Sequence, residues 1–188
     1  MCRLSVLLLG VCGLMLLSGR SVHATWSIVA VDPRTGEVGS AGASCTPVVA
    51  LILGIAPGKG VIVAQAKSNL KARRTGVDML MRGARPEDII DTITQPSFDP
   101  EYALQQYGIA ALEPAPSAGA YTGTDTALQS GDIQGECMSV QGNFLTGSDV
   151  LTAAYEAFHA NPGLPLADRL LAALEAGAAE GGDRRCGE

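Results

Sequence analysis

The sequence predicts an α+β protein in which two antiparallel sheets pack face to face and pairs of helices cover their outer sides. Short apolar, β-branched runs separated by turn residues occur in two stretches. Each stretch leads into two segments of helical periodicity, and the whole fits one domain of ordinary size at 188 residues. A single sheet with helices on one side is the simpler arrangement of the same elements.

Residues 1–24 are expected to be a signal peptide rather than part of that domain. Arg3 supplies a positive start, Leu4 to Leu17 is apolar, and Val22 and Ala24 stand at the small-residue positions of a cleavage site. The apolar run is too short to span a bilayer comfortably. Cleavage after Ala24 makes Thr25 the first residue and leaves eleven basic against nineteen acidic side chains, a net charge of −8. A chain of that sign is unsuited to nucleic acid or to an anionic membrane surface. The mature protein is therefore expected to be periplasmic or extracellular and free of the membrane. Cys45, Cys137 and Cys186 remain, which in an oxidising compartment suggests one disulfide and one free thiol. Spacing alone leaves the pairing open.

Thr25 to Val31 reads as a strand, Asp32-Pro33-Arg34-Thr35-Gly36 as a turn, and Glu37 to Ser44 as the returning strand. Val48 to Ala56 is apolar, Pro57 to Gly60 is a turn, and Val61 to Ala66 is a strand. Asn69 to Arg82 has helical periodicity, with Leu70, Val77, Leu80 and Met81 on one face. Pro86 opens a second helix whose first turn carries acids. Gln106 to Leu112 and Gly119 to Thr122 are strands. Met138 to Gln141 is another, ended by Gly142-Asn143. Helices follow over 148–159 and from Pro165 to about 180, the last stopped by Gly181-Gly182.

The usual chemistries fall away on inspection. After cleavage one histidine remains, His159 near a helix end, so a Ser-His or Cys-His arrangement has nothing nearby to build on. One histidine and scattered cysteines do not make a metal site. Gly54 to Gly60 departs from a phosphate loop in both glycine spacing and the absence of a hydroxyl after the lysine. Thr25 survives. An N-terminal threonine brings its own general base, because a free α-amine has a pKa of about 7.7–8.0 and can take the proton of the hydroxyl on the same residue.

The segment TWSIVAVDPRTGEVGSAGAS, residues 25–44, is similar to the opening of a bacterial family known as domain of unknown function 1028. GVIVAQAKSN (60–69), Tyr121-Thr122-Gly123, SVQGN (139–143) and the tail PLADRLLAALEAGAAEGGDRR resemble further segments of that family. The resemblance spans essentially all of residues 25–188. SVQGN followed by GGDRR is its most specific part. The family resembles the N-terminal nucleophile (Ntn) hydrolases, which cleave amide bonds from a four-layer αββα sandwich. The resemblance therefore implies that fold, with Thr25 as nucleophile and no cofactor. It also implies a further strand after Gly-Gly-Asp-x-Arg. This sequence stops at Glu188, so either it is a fragment or one sheet lacks that strand.

The candidate site follows. Thr25 is nucleophile and base. Asn143 is a side-chain amide suited to an oxyanion, and Gly142 permits close backbone approach. Ser27 shares a face with Thr25, and Ser44 ends the paired strand. Gln65, Asn69 and Gln141 are polar positions suited to substrate. Asp183 and Arg185 are candidates either for an ion pair that orients the N-terminus or for gripping a substrate carboxylate, with a solvated charge cluster at the helix end as the plainer reading. Lys59 and Lys67 matter only if they approach the amine. The expected function is an exported amidohydrolase of small or peptide-like substrates, with the oligomeric state left open between a monomer and a homo-oligomer. A secreted binding protein that keeps the fold without turnover is the alternative, and a glycosidase using paired carboxylates is a third.

Overall fold

The computed structural model describes residues 25–187, so the expected signal peptide and Glu188 lie outside the described residues, as does the side chain of Cys186. Strands β1 (Thr25–Asp32), β2 (Glu37–Ala43), β7 (Gly131–Gln134) and β8 (Met138–Asn143) form one antiparallel sheet in the order β2-β1-β8-β7. Strands β3 (Leu53–Ala56), β4 (Gly60–Ala66), β5 (Gln105–Ala111) and β6 (Ser117–Thr122) form a second, in sequence order. Helices α1 (Leu70–Met81) and α2 (Pro86–Ile93) cover the second sheet; α3 (Asp149–Ala160) and α4 (Leu166–Ala179) cover the first.

The period of two in β1 produces this layering. Trp26, Ile28 and Ala30 face α3 and α4, where they join Met138, Val140, Val150, Phe158 and Leu170. Val29 and Val31 face the other way and meet Val61, Val63 and Ala110 of the second sheet. Both faces of β1 are thus covered and all its residues are buried, which is why it reads as a continuous apolar run. On the far side, Ile62, Ala64, Tyr107 and Ile109 pack beneath Ala72, Leu80, Ile89 and Ile93.

The structure departs from the sequence expectations in four places. The apolar run 48–56 divides into a single 3₁₀ turn, Val49–Ile52, and the edge strand β3. Strand β7 was not expected, because its four residues GDIQ are short and polar and owe their conformation to pairing with β8. Strand β8 continues through Gly142 and Asn143 instead of ending before them, since both stay paired with β1. In α1 the buried stripe is Ala72, Gly76 and Leu80, while Leu70 and Met81 are exposed. Small residues bring that helix down onto Ile62, and the larger apolar ones flank it.

Candidate active site at the end of strand β1

The interface between the sheets changes character along β1. Beyond Val31 and Val29 the next inward positions are Ser27 and Thr25, and on β8 the inward positions are Ser139, Gln141 and Asn143. The register sets Ser27 opposite Gln141 and Thr25 opposite Asn143. From the second sheet come Gln65 and Gln106, themselves paired across β4 and β5. All of these side chains are buried.

Buried amides and hydroxyls must find partners, and here they find each other. Ser139 Oγ donates to Gln141 Oε1 at 2.9 Å, and Gln141 Nε2 donates to Ser27 Oγ at 2.7 Å. Ser27 Oγ donates to Gln65 Oε1 at 2.6 Å, and Gln65 Nε2 donates to Gln106 Oε1 at 2.8 Å. Gln106 Nε2 reaches the carbonyls of Gly131 (3.0 Å) and Gly142 (2.9 Å) and Thr122 Oγ1 (2.9 Å). Thr122 in turn donates to Asp132 at 2.6 Å. The chain of bonds crosses from one sheet to the other and fixes their relative position at this end.

Thr25 caps the network and is 4 % exposed. Its hydroxyl donates to Ser44 Oγ at 3.2 Å, and its carbonyl accepts from Gln65 Nε2 at 3.4 Å. Ser44 is bonded to Thr46 Oγ1 at 3.1 Å and accepts from the Thr46 N–H at 3.3 Å. The loop carrying Ser44 is held from behind by Asp183, whose Oδ2 accepts from the Cys45 N–H at 2.9 Å and from Arg185 Nη2 at 2.7 Å. Burial pushes the Asp183 carboxyl up, but the Arg185 and Cys45 hydrogen bonds outweigh it and leave the group below its ordinary value. The Asp183–Arg185 pair therefore acts on the neighbour of Ser44.

The remaining expected residues are placed as follows. Ser27, Gln65 and Gln141 belong to the sealed inter-sheet network. Gly142 gives its carbonyl to Gln106, and the close approach it allows is to Leu145, whose side chain would lie 2.8 Å from a β-carbon at 142. Asn69 caps α1 through the Ala72 N–H and donates to Asp99 at 2.6 Å, so its bonds lie with the α1 side of the second sheet. Lys59 and Lys67 pair with Glu113 and Glu101. His159 packs at a tilt against Tyr155 on α3, where burial and then the Arg169 charge lower its pKa. Cys137 is a free thiol pushed above its ordinary pKa chiefly by burial, whereas Cys45 is not free. Among the described residues no group of acidic, histidine or cysteine side chains is placed to hold a metal.

Gln106, Thr122, Asp132, Ser139 and Thr46 belong to the same cluster and are not among the site residues read from the sequence, although Thr122 and Ser139 lie in segments that carry the family resemblance. A period-two run of polar residues, as in Ser139-Gln141-Asn143, is the signal that points inward to such a seam.

The fold and site define a two-sheet α+β sandwich with a buried threonine at the end of a central strand and an amide–hydroxyl seam behind it. Residues 25–188 match the family of unknown function DUF1028, and the chain belongs to that family. Among solved structures it is similar to protein SPO2555 from Silicibacter pomeroyi, a crystal structure assigned to DUF1028. The two share 32% identity over 83% of this chain and 70% of that one, with a TM-score of 0.75. No curated protein matches the chain.

Proposed function

We propose that this protein is an exported amidohydrolase of the N-terminal nucleophile type, with Thr25 exposed as the first residue by removal of residues 1–24. The observation that carries the reading is the setting of Thr25. It sits at the end of a central strand, its hydroxyl is already bonded to Ser44, and the family match starts at this residue. Among the described residues the one histidine, His159, lies in α3 against Tyr155 and does not serve Thr25, so the base comes from the residue itself.

In the reaction the α-amine takes the Thr25 hydroxyl proton as Oγ1 bonds to the amide carbonyl carbon. The proton passes to the departing nitrogen as the C–N bond breaks. Water then cleaves the ester, with the amine again acting as base and returning the proton to Oγ1. The substrate is a small or peptide-like amide. Action outside the cytoplasm rests on the reading of residues 1–24 as a signal peptide.

The test has two stages. The exported protein is sequenced from its N-terminus, and the expected result is Thr25 with a free amine. A panel of amides is then assayed with wild type, Thr25→Ser and Thr25→Ala. Thr25→Ser should keep turnover and Thr25→Ala should lose it by about 10³-fold or more. A mature chain that begins elsewhere, or hydrolysis that survives Thr25→Ala, rules the reading out; a processed chain that turns over no amide points to the binding-protein alternative.

A further inference from the structure

Asn143 Oδ1 is buried and has no hydrogen-bond partner among the described residues, and the whole residue is sealed from solvent. The orientation of this amide is fixed by its neighbours. Gln106 must turn its nitrogen toward the Gly131 and Gly142 carbonyls, because carbonyls only accept. Its Oε1 therefore faces the other way, where it receives Gln65 Nε2 at 2.8 Å and Asn143 Nδ2 at 3.1 Å. Rotating the Asn143 amide by half a turn would set two carbonyl oxygens against each other. The group left over is thus an acceptor, directly across the strand pair from Thr25.

A buried acceptor without a donor is costly, and native structures rarely keep one. Within an unprocessed chain the Thr25 nitrogen is a peptide N–H with a single hydrogen. Once residues 1–24 are removed, the same nitrogen becomes an amine with two or three. Processing thus creates new donor hydrogens on the residue that stands opposite Asn143 in the strand pair.

We propose that Asn143 is a positioning residue whose side-chain carbonyl accepts a hydrogen bond from the α-amine of processed Thr25. The proposal rests on the N-terminal nucleophile reading. It gives Asn143 the polarity opposite to the oxyanion donor expected from sequence. With one N–H tied to Asn143, the amine cannot rotate freely, and its lone pair is kept on the side of the Thr25 hydroxyl. The bond stabilises the charged amine more than the neutral one, so it also raises the pKa of the base.

The experiment uses the processed protein labelled with ¹⁵N and ¹³C and follows the Asn143 side-chain amide through a pH titration by NMR. The expected result is that this resonance shifts with the same midpoint as the Thr25 amine. A second variant, Asn143→Leu, removes the acceptor but leaves Gln106 Oε1 its bond from Gln65. The midpoint of the amine, read from the pH dependence of its reaction with an amine reagent, should then fall by roughly one pH unit. An Asn143 resonance that stays flat while the amine titrates overturns the proposal, as does an unchanged midpoint in Asn143→Leu. Coupled titration in a protein that hydrolyses no amide leaves Asn143 in its role and sinks the hydrolase reading instead. A mature chain that does not begin at Thr25 overturns both.

Discussion

Gln141 lies directly over Gly108 across the gap between the sheets: a β-carbon at position 108 would fall 2.1 Å from Gln141 Oε1. The glycine is what allows a long amide to lie flat where the two sheets meet. The amide cannot move aside at no cost, because Ser139 and Ser27 hold both of its ends. Gly108→Ala should therefore destabilise the fold by about 2 kcal/mol, as overpacking of a tight interior does. The midpoint of urea unfolding measures it. A variant as stable as wild type would show that Gln141 has room to give way and that the seam is looser than its bonds imply.

Asp32 supplies an acid-side prediction. It closes β1 and accepts from Arg34 Nη2 at 2.7 Å, with Arg169 Nη1 at 3.8 Å. Arg34 also donates to the Pro162 carbonyl at 2.7 Å, so the turn after β1 is tied to the connection between α3 and α4. Hydrogen bonding from the Arg34 side chain, working against burial, lowers the Asp32 pKa from 3.8 to about 2. A carboxylate depressed in the folded state adds stability that is whole above its unfolded pKa and fades as pH falls through its folded one. Wild type should thus exceed Asp32→Asn in thermal stability at neutral pH, and the gap should narrow between pH 4 and about pH 2. A gap that stays constant over that window would mean that Asp32 acts by shape and not by charge.

How far the sequence revealed all this depends on whether a residue's role is local. Strand β1 is legible because TWSIVAV is a short apolar, β-branched run, and a period of two places Ser27 on the face of Thr25. The hairpin turn was legible because Gly36 takes a positive φ of 74° where the sequence placed it. Gln106 was not, because Gln105 stands beside it with the same composition. The two go to opposite faces, Gln105 to Asp99 and Gln106 to Gln65, and only the register of β5 decides which. Strand β7 was invisible for a related reason: nothing in GDIQ is apolar enough to mark a face, and its partner β8 supplies the conformation. Asn69 matched a family position, but its amide is committed to a helix cap and to Asp99, partners that spacing could not show.

Gln106 is where the two sheets are most firmly joined, and its substitution gives the sharpest test of the seam. One nitrogen serves two carbonyls and the Thr122 hydroxyl, and one oxygen serves Gln65 and Asn143. Gln106→Glu keeps the shape and removes the donors. The new carboxylate would face the Gly131 and Gly142 carbonyls with nothing to share, in a site with no exposure to water. The cost should be about 3 kcal/mol or more at neutral pH, the range for breaking a buried polar network and leaving a charge in it. Protonation restores one donor, so the folded state raises the pKa of the introduced carboxyl above its unfolded value. The destabilisation should then be largest at alkaline pH and shrink as pH falls through that raised value. Chemical denaturation of wild type and Gln106→Glu at pH 8 and at pH 5 measures both effects. A loss that is the same at the two pH values would show that the carboxylate finds water or a cation, and that the seam opens at Gln106 more readily than its five bonded neighbours suggest.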